Sequence, residues 1–411
     1  MNTGTVKIFP EDGMSAEERF ETAVRLGVPD RVPLSLMLYY FAPLYAKVPM
    51  SRYMADAGTY ARVMEKVWEE VGPWDVYYNI RPVSRLIYSY VMMMRTLWPG
   101  YELAEDEMAK VEEMVYMRPE DYDRVMDGPG FLADTLFRLR MLGRFCKEAE
   151  GADLPRLTGR MLVHLVRQIA EWRRDFRWWR RRGAAIQMGC QAEMPFDTFS
   201  QARNVVNFSL DLMKTPEKVG RAATKLAESY ADFSVFVARL MGVPRVQCYC
   251  HRTSNSFISP KQFQELALPG LEIVVNRIVE AGMTPILHCD GDWLKNLPAM
   301  RRLPAGKAVI QLDGLTDIFR AKEIMGGHSC LFGDVPAALL VEGTPSEVLE
   351  YCHRLIEEVG RGGGFVLAAG CEVPPNARPD CVRAMRDAVR RYGYYGKPGS
   401  RLPQDKDGQH A

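Results

Sequence analysis

From about residue 216 onward the chain alternates strand and helix with a steady rhythm, and that rhythm limits the fold more than any other feature. Helix 216–241 opens on Pro216 and is followed by strand 245–250, "RVQCYC". The next helical stretch begins "SPKQF", with Ser259 as N-cap and Pro260 at the first helical position. Pro269 is expected to kink or interrupt it. Strand 284–288, strand 308–313, helix 317–326, strand 329–333, helix 345–361, strand 365–369 and helix 378–392 complete the series. These strands are short and apolar and do not alternate, which predicts a parallel sheet buried on both faces by helices. In the front half, 32–38, 74–79 and 184–189 read as further strands, with helix 54–71 between the first two. Eight strands of this kind predict an α/β fold, a (β/α)8 TIM barrel with functional residues at the C-terminal strand ends. A doubly wound open sheet is the alternative, but no GxGxxG follows the first strand.

The rhythm stops between 85 and 182, a stretch rich in Met, Trp and Arg. It is expected to be a large helical insertion after the second strand. The barrel then starts in 1–84 and is completed by 183–395, with 396–411 as a polar, disordered tail. The run "EWRRDFRWWRRRG" at 171–183 is the most basic in the chain; it reads as an amphipathic helix with a solvated arginine face, or as a docking surface. Methionines in 91–98 suggest an exposed apolar face and, through it, a homodimer. Lys plus Arg number 53 against 52 for Asp plus Glu, which argues against nucleic-acid binding. No apolar run reaches membrane-spanning length, and the N-terminus carries no signal-peptide core. Nine scattered cysteines with no CxxC pair fit reduced thiols and a cytoplasmic location.

The strand ends carry the chemistry. The stretch "TPILHCDGDW" ends an apolar strand on His288, Cys289 and Asp290. His288, Asp290 and Cys371 are ligand types that zinc accepts, and a catalytic zinc site keeps one position open. Cys248, Cys250 and His251 end another strand; Cys250 reads as a buried thiol or a substrate contact. Asp313 and Asp334 each end a strand beside a glycine, as a helix cap, a support for a ligand or a proton acceptor. Tyr39, Tyr40 and Asn79 follow the first two strands and are candidates for binding substrate. Glu372, next to Cys371, is a candidate acid. No GxSxG, P-loop or HExxH is present.

The segments "GMTPILHCDGD", "FGDVPAALLVEGTPSEVLE", "FVLAAGCEVPPNARPDCVRAM" and "RFETAVRLGVPDRVPLSLML" resemble the uroporphyrinogen decarboxylase superfamily. The resemblance implies a (β/α)8 barrel. The arginine-rich segment of the decarboxylases is replaced here by "LSLMLYYFAP", and "GCEVPP" at 370–375 is similar to the corrinoid-dependent methyltransferase branch. That branch implies Zn2+ held by a His-x-Cys pair and a distant Cys, and cobalamin carried by a separate corrinoid-binding protein. Here the middle position is Asp290, with Cys289 one residue early, so the ligand set reads as His288, Asp290 and Cys371 or a shifted set using Cys289. A harder His/Asp/Cys set suits polarising an ether or hydroxyl oxygen, so a demethylating enzyme acting on a methoxylated or methylated compound is favoured over methylation of a thiol or folate-type acceptor. His251, Asp313 and Glu372 are the expected catalytic side chains, and Tyr39, Tyr40, Asn79 and Cys250 the substrate contacts. The alternatives are a metal-free decarboxylase clamping a carboxylated, tetrapyrrole-like substrate through Arg81 and Arg252, and a non-catalytic tetrapyrrole or corrinoid binder.

Overall fold

The computed structural model describes residues 6–396 apart from 81–83, 93, 128 and 129, with the side chains of 130–137 also left out. The tail expected from 396 onward falls almost wholly outside the described residues, as does Arg81. Eight parallel barrel strands follow in chain order: β1 (Leu34–Leu36), β2 (Val76–Tyr77), β3 in two segments (Ala185–Ile186 and Cys190–Glu193), β4 (Arg245–Cys250), β5 (Thr284–Cys289), β6 (Val309–Leu312), β7 (Cys330–Val335) and β8 (Phe365–Ala369). Each pairs with its sequence neighbour, and β8 returns to pair with β1. The circle closes through β3, whose first segment pairs with β2 and whose second pairs with β4. Between the segments, Gln187 donates its N–H to Tyr77 and Gly189 donates to Arg245. The (β/α)8 barrel expected from the strand rhythm is the fold of the chain.

Side-chain direction follows from this register. Gln247, Tyr249, His288 and Gln311 share the inward face, because parallel partners point the same way. Cys248, Cys250 and Cys289 alternate with them and face the helices. The link between the two β3 segments, β4 and β6 each place one glutamine inside. Ser35 donates to Gln187, Gln187 to Gln247 (3.0 Å), Gln247 to Gln311 (2.7 Å) and Gln311 to the Met37 sulfur. This amide chain leaves no glutamine in it unpaired and forms a polar layer beneath the strand ends.

The opposite end of the barrel is closed by ions. Arg19, Arg31, Asp12 and Asp75 are wholly buried, and Asp75 accepts from both arginines and from the Leu34 N–H at the start of β1. Tyr394 donates to Asp12, so the segment before β1 and the chain after the last helix meet in the same cluster.

The stretch 85–182 is mostly helical and also contains an antiparallel hairpin, Arg95–Leu97 with Lys110–Glu112. It is not wholly an appendage. Its last helix, Leu154–Arg181, capped by Asp153, packs on the barrel: Trp179 stacks on Tyr77 at 4.2 Å and meets Trp74 and Trp68. Arg180 donates to the Gly242 carbonyl, and Arg182 pairs with Glu65 over the Trp178 ring. Two of the three terminal arginines are therefore internal anchors. Of the methionines expected to form an exposed face in 91–98, Met92 and Met94 are buried, and Met93 lies outside the described residues. Among the described residues, no helix is long and apolar enough to cross a membrane.

Candidate metal centre

The expected strand ends converge at one mouth of the barrel. His288 is on the inward face of β5, and Asp290 lies two residues further along, where Gly291 turns the chain with φ +87°. The turn is held tightly: the Asp290 N–H bonds the Cys250 carbonyl, Trp293 Nε1 donates to the Asp290 carbonyl, and Thr316 donates to the Gly291 carbonyl. Cys371 arrives from β8. There Gly370 passes so close to the loop after β6 that an added Cβ would lie 2.2 Å from the Asp313 carbonyl oxygen. Substituting Gly370→Ala is expected to cost about 1–3 kcal/mol or more through backbone collision. It should also displace Cys371, so urea unfolding and zinc titration are both expected to register the change.

His288 Nε2 lies 3.1 Å from Asp290 Oδ1 and 3.5 Å from Cys371 Sγ, and one donor atom from each residue fits within 4.8 Å of the others. Zinc bonds of about 2.0–2.3 Å at tetrahedral angles separate ligand atoms by about 3.3–3.8 Å, so the donor set fits that ion. The charges point the same way. Burial disfavours charge on His288, yet Asp290 and Cys371 raise its pKa well above 6.5, so the two acidic groups draw a cation to Nε2. Burial would raise Asp290, but His251 and His288 hold it well below the ordinary carboxylate range. Cys289 is not part of the cluster. It faces outward, fully buried, with its thiol on the Leu287 carbonyl.

His251 follows β4 and spans two carboxylates, with Nδ1 2.5 Å from Asp290 Oδ2 and Nε2 3.4 Å from Glu193 Oε2. Glu372 sits beside the cluster. Burial pushes it up to about 7, against the pull of His288 and with the help of Asp290. Tyrosines surround it. Burial raises Tyr39, Tyr40, Tyr78, Tyr88 and Tyr249, and the Glu372 charge adds to each, so all five hydroxyls stay protonated. Tyr39 and Tyr40 pack 4.7 Å apart, and Tyr88 sits edge-on to Trp98 at 5.2 Å.

Three expected site residues are placed elsewhere. Asn79 gives and takes hydrogen bonds with the Met188 backbone, which ties β2 to β3 rather than reaching substrate. Cys250 points away from the mouth into a small cavity behind β4, with Phe196, Thr253 and Phe263. Asp313 spends both oxygens on the Gly291 and Leu315 N–H groups, and so organises the ligand loop instead of taking substrate protons. Asp334 is also outside the cluster, accepting from Tyr351. Burial pushes it from 3.8 up to about 7, so the folded chain binds that proton more tightly than the unfolded one. Its contribution is therefore present below pH 3.8 and lost as pH rises through about 7. Asp334→Asn is expected to remove that slope, read as the melting midpoint against pH. Sequence reasoning gave no role to Glu193, Tyr78, Tyr88 or Tyr249. Strand parity marks Tyr249 and Glu193; nothing local marks Tyr88, which a helix of the insertion brings over the mouth.

A family model described as uroporphyrinogen decarboxylase (URO-D) matches residues 178–392, just over half of the chain. A uroporphyrinogen decarboxylase from Hahella chejuensis is 26% identical over 181 residues, covering 42% of this chain and 48% of that protein. The methylcobamide:CoM methyltransferase MtbA of Methanosarcina mazei is 25% identical over 173 residues, covering 41% of this chain and 49% of its own length. The chain thus spans about half the length of the curated relatives it matches. A solved structure of a methyltransferase from Methanosarcina mazei superposes with a TM-score of 0.63 at 15% identity, over 92% of this chain and 99% of that one, which supports the shared barrel. The barrel and the match across its second half make this chain a member of the uroporphyrinogen decarboxylase family.

Proposed function

We propose that this chain is a zinc-dependent methyltransferase of a corrinoid system, which takes the methyl group from a small methoxylated or methylated compound and passes it to cobalamin on a separate protein. The observation that carries the reading is the cluster of His288, Asp290 and Cys371 at the barrel mouth. These three residues would hold the metal. When bound, zinc supplies Lewis acidity toward the heteroatom that carries the methyl group. Glu372, next to Cys371 in the chain and pushed up to about 7, is the group that would give a proton to the departing oxygen near neutral pH. Tyr39, Tyr40 and Tyr88 supply protonated hydroxyls around Glu372, an apolar and hydrogen-bonding setting compatible with a methyl ether. His251 braces Asp290. A relative named as a methylcobamide:CoM methyltransferase supports the corrinoid part of the reading.

The decarboxylase names among the relatives favour a second reading, a metal-free lyase. It needs cationic clamps for carboxylates. Arg252, one expected clamp, is taken up by Glu113 and the Ser200 carbonyl. The test incubates zinc-loaded protein with reduced cobalamin and a panel of methoxylated aromatics, following methylcobalamin by its absorbance. Methyl transfer that is lost in Cys371→Ala supports the proposal. Carbon dioxide release from a carboxylated substrate by metal-free protein, with no methylcobalamin formed, overturns it.

A further inference from the structure

The donor cluster is supported from one side in a way the ligands alone do not explain. A metal-bound histidine ordinarily gives its second ring nitrogen to a carboxylate or carbonyl, which fixes its orientation. His288 Nδ1 is buried and has no such partner among the described residues. The support runs through the other side of the cluster. Asp290 uses Oδ1 toward His288 Nε2 and Oδ2 toward His251 Nδ1. The far nitrogen of His251 faces Glu193 Oε2, and that carboxylate is buried at the end of β3 with its Oε1 held by Gln201. The His251 ring is also stacked on Tyr249 at 5.3 Å, 14° from parallel.

We infer that Glu193 and His251 are positioning residues for the metal centre, a carboxylate–imidazole strut that fixes Asp290 as a single-oxygen ligand. The inference rests on the zinc reading above and extends it to residues that touch neither metal nor substrate. Asp290 is the one ligand that the turn at Gly291 supplies, half-buried at the mouth, and a carboxylate without a partner has two equivalent oxygens and a rotating χ2. The His251 N–H occupies Oδ2 and leaves Oδ1 to face His288. Glu193 Oε2, 3.4 Å behind Nε2, and the stacked Tyr249 ring confine the imidazole so that Nδ1 stays against Oδ2. A β3 residue thus sets the geometry of a ligand that follows β5, through a histidine that follows β4. The three strands are neighbours, which is why the strut needs the closed barrel. Asp197, buried beside Glu193 and pushed up to about 7 by burial, Glu193 and despite the Arg252 N–H, adds a second acid behind the strut.

The test measures zinc affinity by competition with a chromophoric chelator, and the visible spectrum of the cobalt-substituted protein, in wild type, Glu193→Gln, His251→Ala and His251→Asn. Glu193→Gln and His251→Ala are expected to weaken zinc binding about 10–100-fold. His251→Asn places an amide N–H where Nδ1 stood and is expected to recover most of the His251→Ala loss. The cobalt spectrum should shift in band position and intensity in Glu193→Gln and His251→Ala, a change that a purely structural role would not produce. Melting of the metal-free variants, compared with wild type, identifies any that fail to fold, and His251→Asn then carries the comparison. Wild-type affinity in both Glu193→Gln and His251→Ala, with zinc still lost in Cys371→Ala, overturns the strut while the metal reading stands. Absence of zinc binding in wild type overturns both.

Discussion

Protein purified from zinc-supplemented cells without chelator is expected to carry about one zinc per chain, and Cys371→Ala and Asp290→Ala to carry almost none. The magnitude follows from the donor count. Three protein ligands would hold the ion, so losing one of them would leave only two donors. Asp290→Ala has a second consequence, since His251 then faces Glu193 alone and His288 loses the carboxylate at 3.1 Å. Asp290→Asn separates charge from shape: the amide fills the same space and should still bind zinc far less tightly than wild type. Cys289→Ala is the control. That thiol lies on the helix side of β5, fully buried, so the variant should lose some packing energy and keep its zinc. Elemental analysis of the purified variants reads all four outcomes. Zinc retained in Asp290→Ala but lost in Cys289→Ala would replace Asp290 with Cys289 in the ligand set.

Asp75→Ala is expected to destabilise the fold by about 3–5 kcal/mol, measured by urea unfolding at neutral pH. Asp75 is wholly buried and receives Arg19 Nη1 at 2.7 Å, Arg31 Nη1 at 2.6 Å and the Leu34 N–H at 2.8 Å. Removing it leaves two guanidinium groups in a dry site with less negative charge to balance them, Asp12 and Asp30 remaining. Burial by itself lowers the Arg31 pKa, but Asp75 and Asp12 reverse this and raise it far above its ordinary value, so the arginine cannot escape by losing its proton. The backbone also loses a tie, because the Leu34 N–H at the entry of β1 donates to Asp75. By contrast, Asp232→Ala removes an exposed partner of Arg277 and is expected to change stability within about 0.5 kcal/mol. The deletion at Asp75 should leave zinc binding in the folded fraction intact, since the ion cluster closes the end of the barrel away from the metal donors.

Much of this molecule could be read from its residues one strand at a time. Apolar runs such as "AVIQLD" and "FVLAA" can only be strands covered on both faces, and their regular spacing with helices between them leads to a barrel. The helix from Ser259 was equally plain, with its capping box to Gln262, and Pro269 falls in the first turn of a new helix at Leu268, as its missing N–H requires. Local chemistry also put metal-capable side chains at strand ends. What failed was side-chain direction and partnership. Asn79, Cys250 and Asp313 all end strands, yet their polar atoms are consumed by neighbouring backbone or turned outward. A strand end says where a residue stands and leaves open what stands next to it.

The sequence by itself determined the period of the chain and the presence of His288, Asp290 and Cys371 at strand ends, because these depend on residues adjacent in the chain. Only the tertiary structure put Asp290 beside His288 and turned Cys289 away from it, brought Cys371 across 83 positions to His288, and set Glu193 behind His251. Those facts depend on barrel closure through the two segments of β3 and on the register of β4, β5 and β6. Register is fixed by the packing of whole strands, a non-local property that no short stretch of sequence carries.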